Sequence, residues 1–321
     1  MPDTQAALQD LGVEVADTDG FRFRGIRFLH GDLKASAEFP HGVGLGFRRP
    51  LLHELLVRHA EKAGVQLLWN TPVAGVDEFG VRLGPGHVET RWIVGADGSG
   101  SRVRRWSGLD TKAQRTGRHA TRRHYRIRPW SNFMEIYWGE RAQAYVTPIS
   151  NNEVCIVVMA DTTEDAQFQM ALNNWPELKN RLAMAELASR ERGAITMMHS
   201  LPRVFRDHVA LVGDASGGVD ALTGDGLRMA FRQSLALGEA MAHDNLGEYQ
   251  RSHRQIATRP MHMGRLMLWL GRHAELRGRF VRSVSANPDL FSRLLDIHVN
   301  GATPANLLST GARVGWRFLA A

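Results

Sequence analysis

Two short apolar runs in this chain each end in a glycine-rich turn that carries a carboxylate. Asp97 follows the run Trp92–Val94, and Asp214 follows the run Val209–Val212. Runs of this length predict buried strands of a parallel sheet. Apolar residues then recur at helical spacing, in the second case from about Gly224 onward. Each stretch therefore predicts a strand, a turn and a helix N-terminus.

Such a turn can bind an anion or the electron-rich edge of a ring. The free backbone N–H groups and the positive end of the helix dipole both face the ligand. A carboxylate at the end of the strand, such as Asp214, can accept hydrogen bonds from sugar hydroxyls. The alternative is an ordinary strand-to-helix connection whose glycines only satisfy steric requirements.

The second stretch resembles the flavin-contacting motif GDAAHxxxPxxGxGxNxA of the FAD-dependent monooxygenases related to p-hydroxybenzoate hydroxylase, and of the allied geranylgeranyl reductases. The matching residues are Gly213, Asp214, Ala215, Gly224, Gly226 and Ala230. The resemblance implies that Asp214 binds the ribityl chain of FAD. It also implies that the helix start at Gly224–Gly226 faces the pyrimidine edge of the flavin and stabilises negative charge there. Gly217 and Ala221 replace the His and Pro of the monooxygenases, and Thr223–Gly226 is closer to the reductases.

The first stretch resembles the D-G-x-x-S-x-x-R signature of the same family at every fixed position. The matching residues are Asp97, Gly98, Ser101 and Arg104. Ser101 is suited to cap the following helix. By resemblance, this element serves both FAD and the nicotinamide cofactor, with Arg104 as a planar cation for a diphosphate and Asp97 holding the turn. The alternative is a capped strand-to-helix connection.

Further site residues follow from the same resemblance. Arg49 begins a helix similar to the family's R-x-x-L-x-x-x-L helix, whose Arg reaches the phosphate or ribityl region; alone, it would be a solvent-exposed residue. Val73 matches the segment that passes the adenine. In the family a Pro of the substrate sheet lies over the flavin, which implies that Tyr145, Thr147 and Pro148 form a wall of the substrate pocket.

The remaining pattern predicts alternating helices and strands. Helices are predicted at 1–13, from 49 to 64, over 161–192, from about 224, and after 241; strands are predicted within 21–39 and at 65–69, 81–83, 88–92, 92–95, 124–127, 133–138, 143–148, 154–159, 194–198 and 209–212.

We therefore expect an α/β fold, with a glutathione-reductase-like FAD-binding domain interleaved with an antiparallel β substrate domain and followed by a helical C-terminus. The expected segments are 1–110 for the first part of the FAD-binding domain, 111–194 for the substrate domain, 195–245 for the second part of the FAD-binding domain, and 246–321 for the C-terminal helical region.

One element of the family pattern is missing. A flavoprotein of this kind opens with a strand, a G-x-G-x-x-G turn, a helix and an acidic residue for the ribose. Residues 1–13 instead predict a helix like the one that follows this unit, and the glycines of 42–46 have the wrong spacing. We expect an N-terminally truncated chain. The alternative is that the chain shares only the scaffold of the family and does not bind FAD.

Composition narrows the function classes. The 321 residues are 43% hydrophobic and contain no run of apolar residues long enough to span a membrane and no signal peptide. The single Cys155 excludes an internal disulfide and favours a reducing, cytoplasmic compartment. The 14 His are scattered, so no metal site is expected, and no G-x-S-x-G turn indicates a hydrolase.

The charge pattern is basic and arginine-rich. The net charge is +7, and all but four of the 40 basic residues are Arg. Because they are spread along the chain, anionic cofactors and substrates explain them, and no nucleic-acid partner is expected. The basic stretch 102–128 is either an entry path for NADPH or a solvated face. The basic, apolar C-terminal helices either contact a membrane surface or pack on the FAD-binding domain.

The predicted function is an FAD-dependent oxidoreductase that uses NAD(P)H. The leading hypothesis is a monooxygenase that acts on a hydrophobic or aromatic small molecule. The first alternative is a geranylgeranyl-reductase-like enzyme that reduces a double bond. The second alternative is a truncated, non-catalytic flavoprotein remnant. The flavin carries the chemistry in both enzymes, so no catalytic side chain is named. The pattern fixes neither the substrate, nor the choice between NADH and NADPH, nor the oligomeric state.

Overall fold

A computed structural model of the chain describes residues 1–84, 86–111 and 116–301. Three sequence predictions fall partly outside these residues: the hairpin turn at Pro85, the basic residues Lys112 and Arg115, and the end of the helical region at 302–321.

In the described residues the α-helices are α1 (Pro2–Asp10), α2 (Arg49–Lys62), α3 (Arg102–Trp106), α4 (Phe168–Ala171), α5 (Pro176–Leu182), α6 (Gly226–Ala242), α7 (Leu246–Arg272), α8 (Ala274–Ser285) and α9 (Pro288–Asn300). The strands in the same residues are β1 (Phe21–Phe23), β2 (Gly25–His30), β3 (Leu33–Glu38), β4 (Gly44–Gly46), β5 (Gly75–Val76), β6 (Gly80–Leu83), β7 (Gly86–Glu89), β8 (Ile93–Gly95), β9 (Thr116–Arg126), β10 (Phe133–Trp138), β11 (Ala142–Ser150), β12 (Glu153–Ala160), β13 (Glu186–Leu187), β14 (Arg192–Ser200), β15 (Phe205–Arg206), β16 (Val209–Leu211) and β17 (Gly217–Gly218).

Nine strands of the described residues form one large sheet. Its order is β17-β14-β9-β12-β11-β10-β2-β3, with β13 added beside β9. Its pairs are antiparallel except for β10 beside β2, which run parallel. The expected α/β fold with an antiparallel sheet and helical C-terminus is confirmed, with this one parallel pair as an addition.

The two faces of the large sheet are covered by different helices. One face packs on α4 and α5 through a core that includes Ile156, Phe168 and Leu178. The other face packs on α7, α8 and α9 through Phe28, Phe280 and other buried apolar side chains. The C-terminal helices therefore cover the sheet as well as adjoining the predicted cofactor motifs. Successive side chains of a strand point to opposite faces, and consecutive residues of β10 and β11 are buried, so both faces of the sheet are packed.

The strand predicted at 65–69 is wrong. Val65, Leu68 and Trp69 are each more than half exposed, and this segment is not assigned to any strand. A strand requires a neighbouring strand for its backbone N–H and C=O groups, and no strand of the described residues pairs with this segment; the N–H of Val65 donates instead to the carbonyl of Ala60 at 3.0 Å.

The single helix predicted over 161–192 is also wrong. Only α4, α5 and the short turn between them are helical, and 186–187 pairs with β9 as β13. Pro176 has no backbone N–H to donate and therefore starts a new helix rather than continuing the previous one.

Candidate cofactor and substrate sites

The two predicted motifs meet because their strands are neighbours. β8 and β16 pair in parallel, with Gly95 opposite Leu211, and the N–H of Val212 donates to the carbonyl of Gly95 at 3.0 Å. The carboxyl ends of both strands therefore lie at one edge of a small sheet, and both turns leave from that edge. Gly98 (φ +78°) and Gly213 (φ +61°) adopt the left-handed backbone that each turn requires.

A cavity of about 730 Å³ opens at this edge, and we call it the cofactor cavity. Six of the ten predicted cofactor-binding residues line it: Arg49, Gly98, Gly213, Asp214, Gly224 and Gly226. Further lining comes from the apolar side of α6, including Leu227, Ala230 and Phe231. These six residues, drawn from three distant parts of the sequence, share one space of the size that small-molecule ligands occupy.

The N-terminus of α6 forms one wall of the cofactor cavity. Gly224 has a φ of +70°, and the helix begins two residues later at Gly226. A Cβ built on Gly226 would have no heavy atom within 4 Å, so a ligand can approach this backbone closely. The first N–H groups of a helix have no partner inside it, and the positive end of its dipole lies here. This wall fits an anionic or electron-rich ring edge.

Asp97 and Ser101 hold the first turn rather than facing the cofactor cavity. The Ser101 hydroxyl donates to Asp97 at 2.5 Å and accepts from the N–H of Arg104 at 2.9 Å. The other oxygen of Asp97 accepts from the N–H of Arg102 at 2.6 Å. Partial burial acts to raise the pKa of Asp97, but the hydrogen bonds from Ser101 and from backbone N–H groups outweigh it and lower the pKa. Asp97 therefore caps α3 as a carboxylate.

Arg104 joins the two motifs. Its side chain is fully buried and donates to the carbonyls of Ser99 at 2.7 Å and Ala215 at 2.9 Å. It also forms an ion pair with Asp110 at 3.0 Å. These partners occupy the guanidinium, so in this structure Arg104 positions the turn at Gly213–Ala215 and does not line the cofactor cavity. Its contact with a diphosphate stays a prediction.

Arg49 brings a cation to the cofactor cavity opposite Asp214. Arg49 is the first residue of α2, and the Asp214 side chain is exposed to the cavity. Loss of hydration and the nearby Arg122 lower the pKa of Arg49, whereas Asp214 opposes this shift. A partly dehydrated guanidinium beside a second cation favours an anion next to it. This arrangement fits the phosphate or ribityl region of FAD.

The other predicted site residues lie elsewhere. Val73 is 37% exposed and does not line the cofactor cavity. Tyr145 is buried beneath the C-terminal helices, and its hydroxyl has no hydrogen-bond partner among the described residues. Thr147 and Pro148 pack on β4, where a Cβ on Gly46 would lie 2.1 Å from the carbonyl oxygen of Pro148. Their contacts with ligands stay predictions.

A second, apolar cavity of about 80 Å³ lies between the large sheet and the C-terminal helices. It is lined by residues of β2, β10, α7, α8 and α9, including Ile26, Phe28, Ile136, Met263, Leu266, Met267, Phe280, Phe291 and Leu294. His298 closes one end, with Nε2 at 3.1 Å from the carbonyl oxygen of Thr223. The sequence did not predict this cavity, and its nearest local signal is the spacing of the Met and Leu residues in α7.

One short loop separates the two cavities. Ala221 and Gly224 line the cofactor cavity, whereas Leu222 and Thr223 line the apolar cavity. Asp220 anchors this loop by accepting from the N–H of Leu222 at 2.9 Å. Asp220 is itself buried and pairs with Arg118 at 3.3 Å. A ligand in either cavity therefore contacts the same four-residue segment.

Two further findings bear on function. The described part of the chain brings no three His, Cys, Asp or Glu side chains into a group that could hold a metal ion. Among the helices of the described residues, none combines the length and the apolar character needed to cross a membrane.

The geometry agrees with comparisons to known proteins. A digeranylgeranylglycerophospholipid reductase of Methanococcus vannielii is 24% identical over 214 residues, which cover 62% of this chain and 55% of that protein. The chain thus spans about half the length of this relative.

Two solved structures show the same fold. A geranylgeranyl bacteriochlorophyll reductase-like protein of Thermoplasma acidophilum superposes with a TM-score of 0.71 at 17% identity, covering 98% of this chain and 85% of that one. A 2-methyl-3-hydroxypyridine-5-carboxylic acid oxygenase superposes with a TM-score of 0.61 at 19% identity, covering 96% and 83%.

The profile of the family described as FAD binding domain matches residues 25–254, which include both motifs and the whole large sheet. The chain belongs to this FAD binding domain family, within the superfamily of FAD-dependent oxidoreductases.

Proposed function

We propose that this chain is an FAD-dependent oxidoreductase that uses NAD(P)H and acts as a monooxygenase on a hydrophobic or aromatic small molecule. The observation that carries the proposal is the loop Ala221–Gly224, which lines the cofactor cavity on one side and the apolar cavity on the other. When bound, FAD would supply the redox chemistry by taking a hydride from the nicotinamide and passing electrons on.

The residues of this chain hold, orient and shield the reactants. Arg49 and Asp214 would bind the phosphate or ribityl region, and the α6 N-terminus at Gly226 would stabilise charge on the flavin edge. The apolar cavity would exclude water and accept the apolar part of the substrate, with the ring of His298 as a polar contact. The arginine-rich surface supports binding of a nicotinamide dinucleotide, and the single cysteine supports a cytoplasmic location.

The second candidate is a double-bond reductase of the geranylgeranyl reductase type. Gly217 in place of the monooxygenase His, together with Thr223–Gly226, favours it. The reductase relative named above also supports it.

The test is NADH and NADPH oxidation by the FAD-reconstituted chain, in air and without oxygen. A panel of aromatic acids and an isoprenoid alcohol serve as substrates. The monooxygenase proposal predicts substrate-dependent oxidation in air only, with one atom of labelled O₂ in the product. Anaerobic oxidation coupled to loss of an isoprenoid double bond would support the reductase. Bound flavin without turnover of any substrate would favour a non-catalytic remnant.

A matched pair of variants links turnover to the apolar cavity. Met263→Trp fills the cavity from α7, whereas Met170→Trp changes a methionine that is 58% exposed on α4. The expected result is a KM for the apolar substrate raised roughly tenfold or more by the first change only, since the new side chain takes the substrate's space. Equal KM values for both variants would place the substrate elsewhere.

A further inference from the structure

Helix α7 presents an exposed ridge whose solvent-facing surface the proposed function does not use. We define the α7 ridge as His262, Arg265, Leu266 and Trp269, four exposed residues whose three- and four-residue spacing places them on one side of the helix. Leu266 and Trp269 are each 46% exposed, so an apolar surface faces solvent beside a cation. Exposed apolar residues that lie next to one another mark an interaction surface more often than apolar residues scattered singly over a protein surface.

The charge of α7 is one-sided. Its sequence holds five Arg and a single acidic residue, Glu248, in the first turn and far from the ridge. Arg265 forms no ion pair with any residue that the structure describes, whereas Arg272 pairs with Asp161 at 3.5 Å. The ridge therefore offers an uncompensated positive charge to a partner, which indicates an anionic one.

The two flanks of the ridge differ in a way that matches an amphiphile. On one flank, Leu266 also lines the apolar cavity, next to Met263 and Met267. On the other flank lies a cavity of about 300 Å³ that we call the basic pocket. Arg254 and Arg265 give the basic pocket its positive charge, and the ridge residue His262 also lines it. Apolar chains and anionic headgroups thus each have a complementary surface on one helix.

Trp269 fits the boundary between apolar and aqueous phases. Its ring is half exposed and lies 5.0 Å from that of His273. Tryptophan is enriched at membrane interfaces because the indole is largely apolar and carries one polar N–H. A symmetric dimer through this ridge would place both copies of Arg265 in one interface to which the ridge contributes no acidic residue, and that unbalanced charge disfavours a second copy of the chain as the occupant.

We propose that the α7 ridge docks the protein on an anionic lipid surface. Leu266 and Trp269 enter the boundary between headgroups and acyl chains, and Arg265 contacts the anionic headgroups. Docking in this orientation places Leu266, which also lines the apolar cavity, against the lipid. The proposal concerns binding alone and does not depend on turnover or on bound FAD.

The test is co-sedimentation of the full chain with vesicles of phosphatidylcholine alone and of phosphatidylcholine with phosphatidylglycerol. We expect binding to the anionic vesicles that weakens as salt is raised, because the headgroup attraction is screened. Arg265→Gln should weaken the partition coefficient about fivefold, which corresponds to about 1 kcal/mol. Leu266→Ser with Trp269→Ser should weaken it about tenfold or more, since apolar burial is lost.

Matched controls lie on β13 and its flanks. Met184 and Leu187 are 96% and 51% exposed, and Met184→Ser with Leu187→Ser removes comparable apolar surface. Arg190→Gln removes an exposed arginine of the same region. Equal binding to both kinds of vesicle, no binding, or an equal loss in the control variants would overturn the proposal. A concentration-dependent dimer that the ridge variants abolish, without vesicle binding, would assign the ridge to a second copy and also overturn it.

Discussion

Two glycines of α6 allow the same glycine-to-alanine substitution to be compared inside and outside the cofactor cavity. Gly226 begins the helix and lines the cofactor cavity, whereas Gly238 lies near the other end of the helix, exposed and away from it. A Cβ on either glycine would meet no heavy atom within 4 Å, so alanine fits at both positions in the protein alone. In a helix interior, alanine is more stable than glycine by about 0.5–1 kcal/mol.

We expect Gly226→Ala and Gly238→Ala both to fold and to differ in cofactor affinity. The methyl group at Gly226 projects into the space where FAD would approach the helix N-terminus. Crowding of a close contact costs about 1–3 kcal/mol. That range corresponds to a Kd for FAD about 5- to 150-fold weaker. Gly238→Ala should leave the Kd unchanged and raise the free energy of unfolding.

The assay is an FAD fluorescence titration of both variants, with urea unfolding of each as the control for folding. Equal Kd values for Gly226→Ala and Gly238→Ala, with both variants folded, would refute the reasoning, since the α6 N-terminus would then not contact the cofactor.

Three other changes test how the site is held together. Arg118→Ala leaves Asp220 buried without its ion pair, and urea unfolding should show a loss of about 3–5 kcal/mol; a loss below 1 kcal/mol would show that the pair does not anchor the loop. Arg104→Lys cannot keep all three partners of the guanidinium, and thermal unfolding should show a loss of about 2 kcal/mol or more; unchanged stability with weakened FAD binding would instead assign Arg104 to the cofactor. Burial lowers the pKa of His253 to about 4. As the pH drops from 6.5, this histidine is therefore protonated in the unfolded chain before it is protonated in the folded one. The free energy of unfolding should fall by about 3 kcal/mol between pH 6.5 and about 4. His253→Gln should flatten this part of the pH profile of urea unfolding, whereas a change at the exposed His41 should not. Equal pH profiles for these two variants would contradict the lowered pKa of His253.

The sequence predicted those parts of the site that depend on local pattern. The turns at Asp97 and Asp214 follow from short apolar runs, small residues and helix starts within one stretch of chain, and the structure has a strand, a turn and a helix start at both. The family resemblance supplied Arg49, which lines the cofactor cavity, and its contact with FAD stays a prediction.

The rest depends on contacts between distant segments. The carbonyl of Ala215 that binds Arg104 is 111 residues away, and no local pattern indicates such a partner. The apolar cavity is formed by strands and helices from both ends of the chain, so its lining residues resemble ordinary core positions in the sequence. The strand predicted at 65–69 failed for the same reason, because a strand is defined by its neighbour.

The most direct measurement is the visible absorption spectrum of the purified chain after incubation with FAD and desalting. Asp214→Asn is measured beside the wild-type chain, and Asp32→Asn, which changes an exposed turn residue, is the control. An FAD site in the cofactor cavity predicts flavin bands that survive desalting in the wild-type chain and in Asp32→Asn and are reduced in Asp214→Asn. A folded wild-type chain that retains no flavin would contradict it.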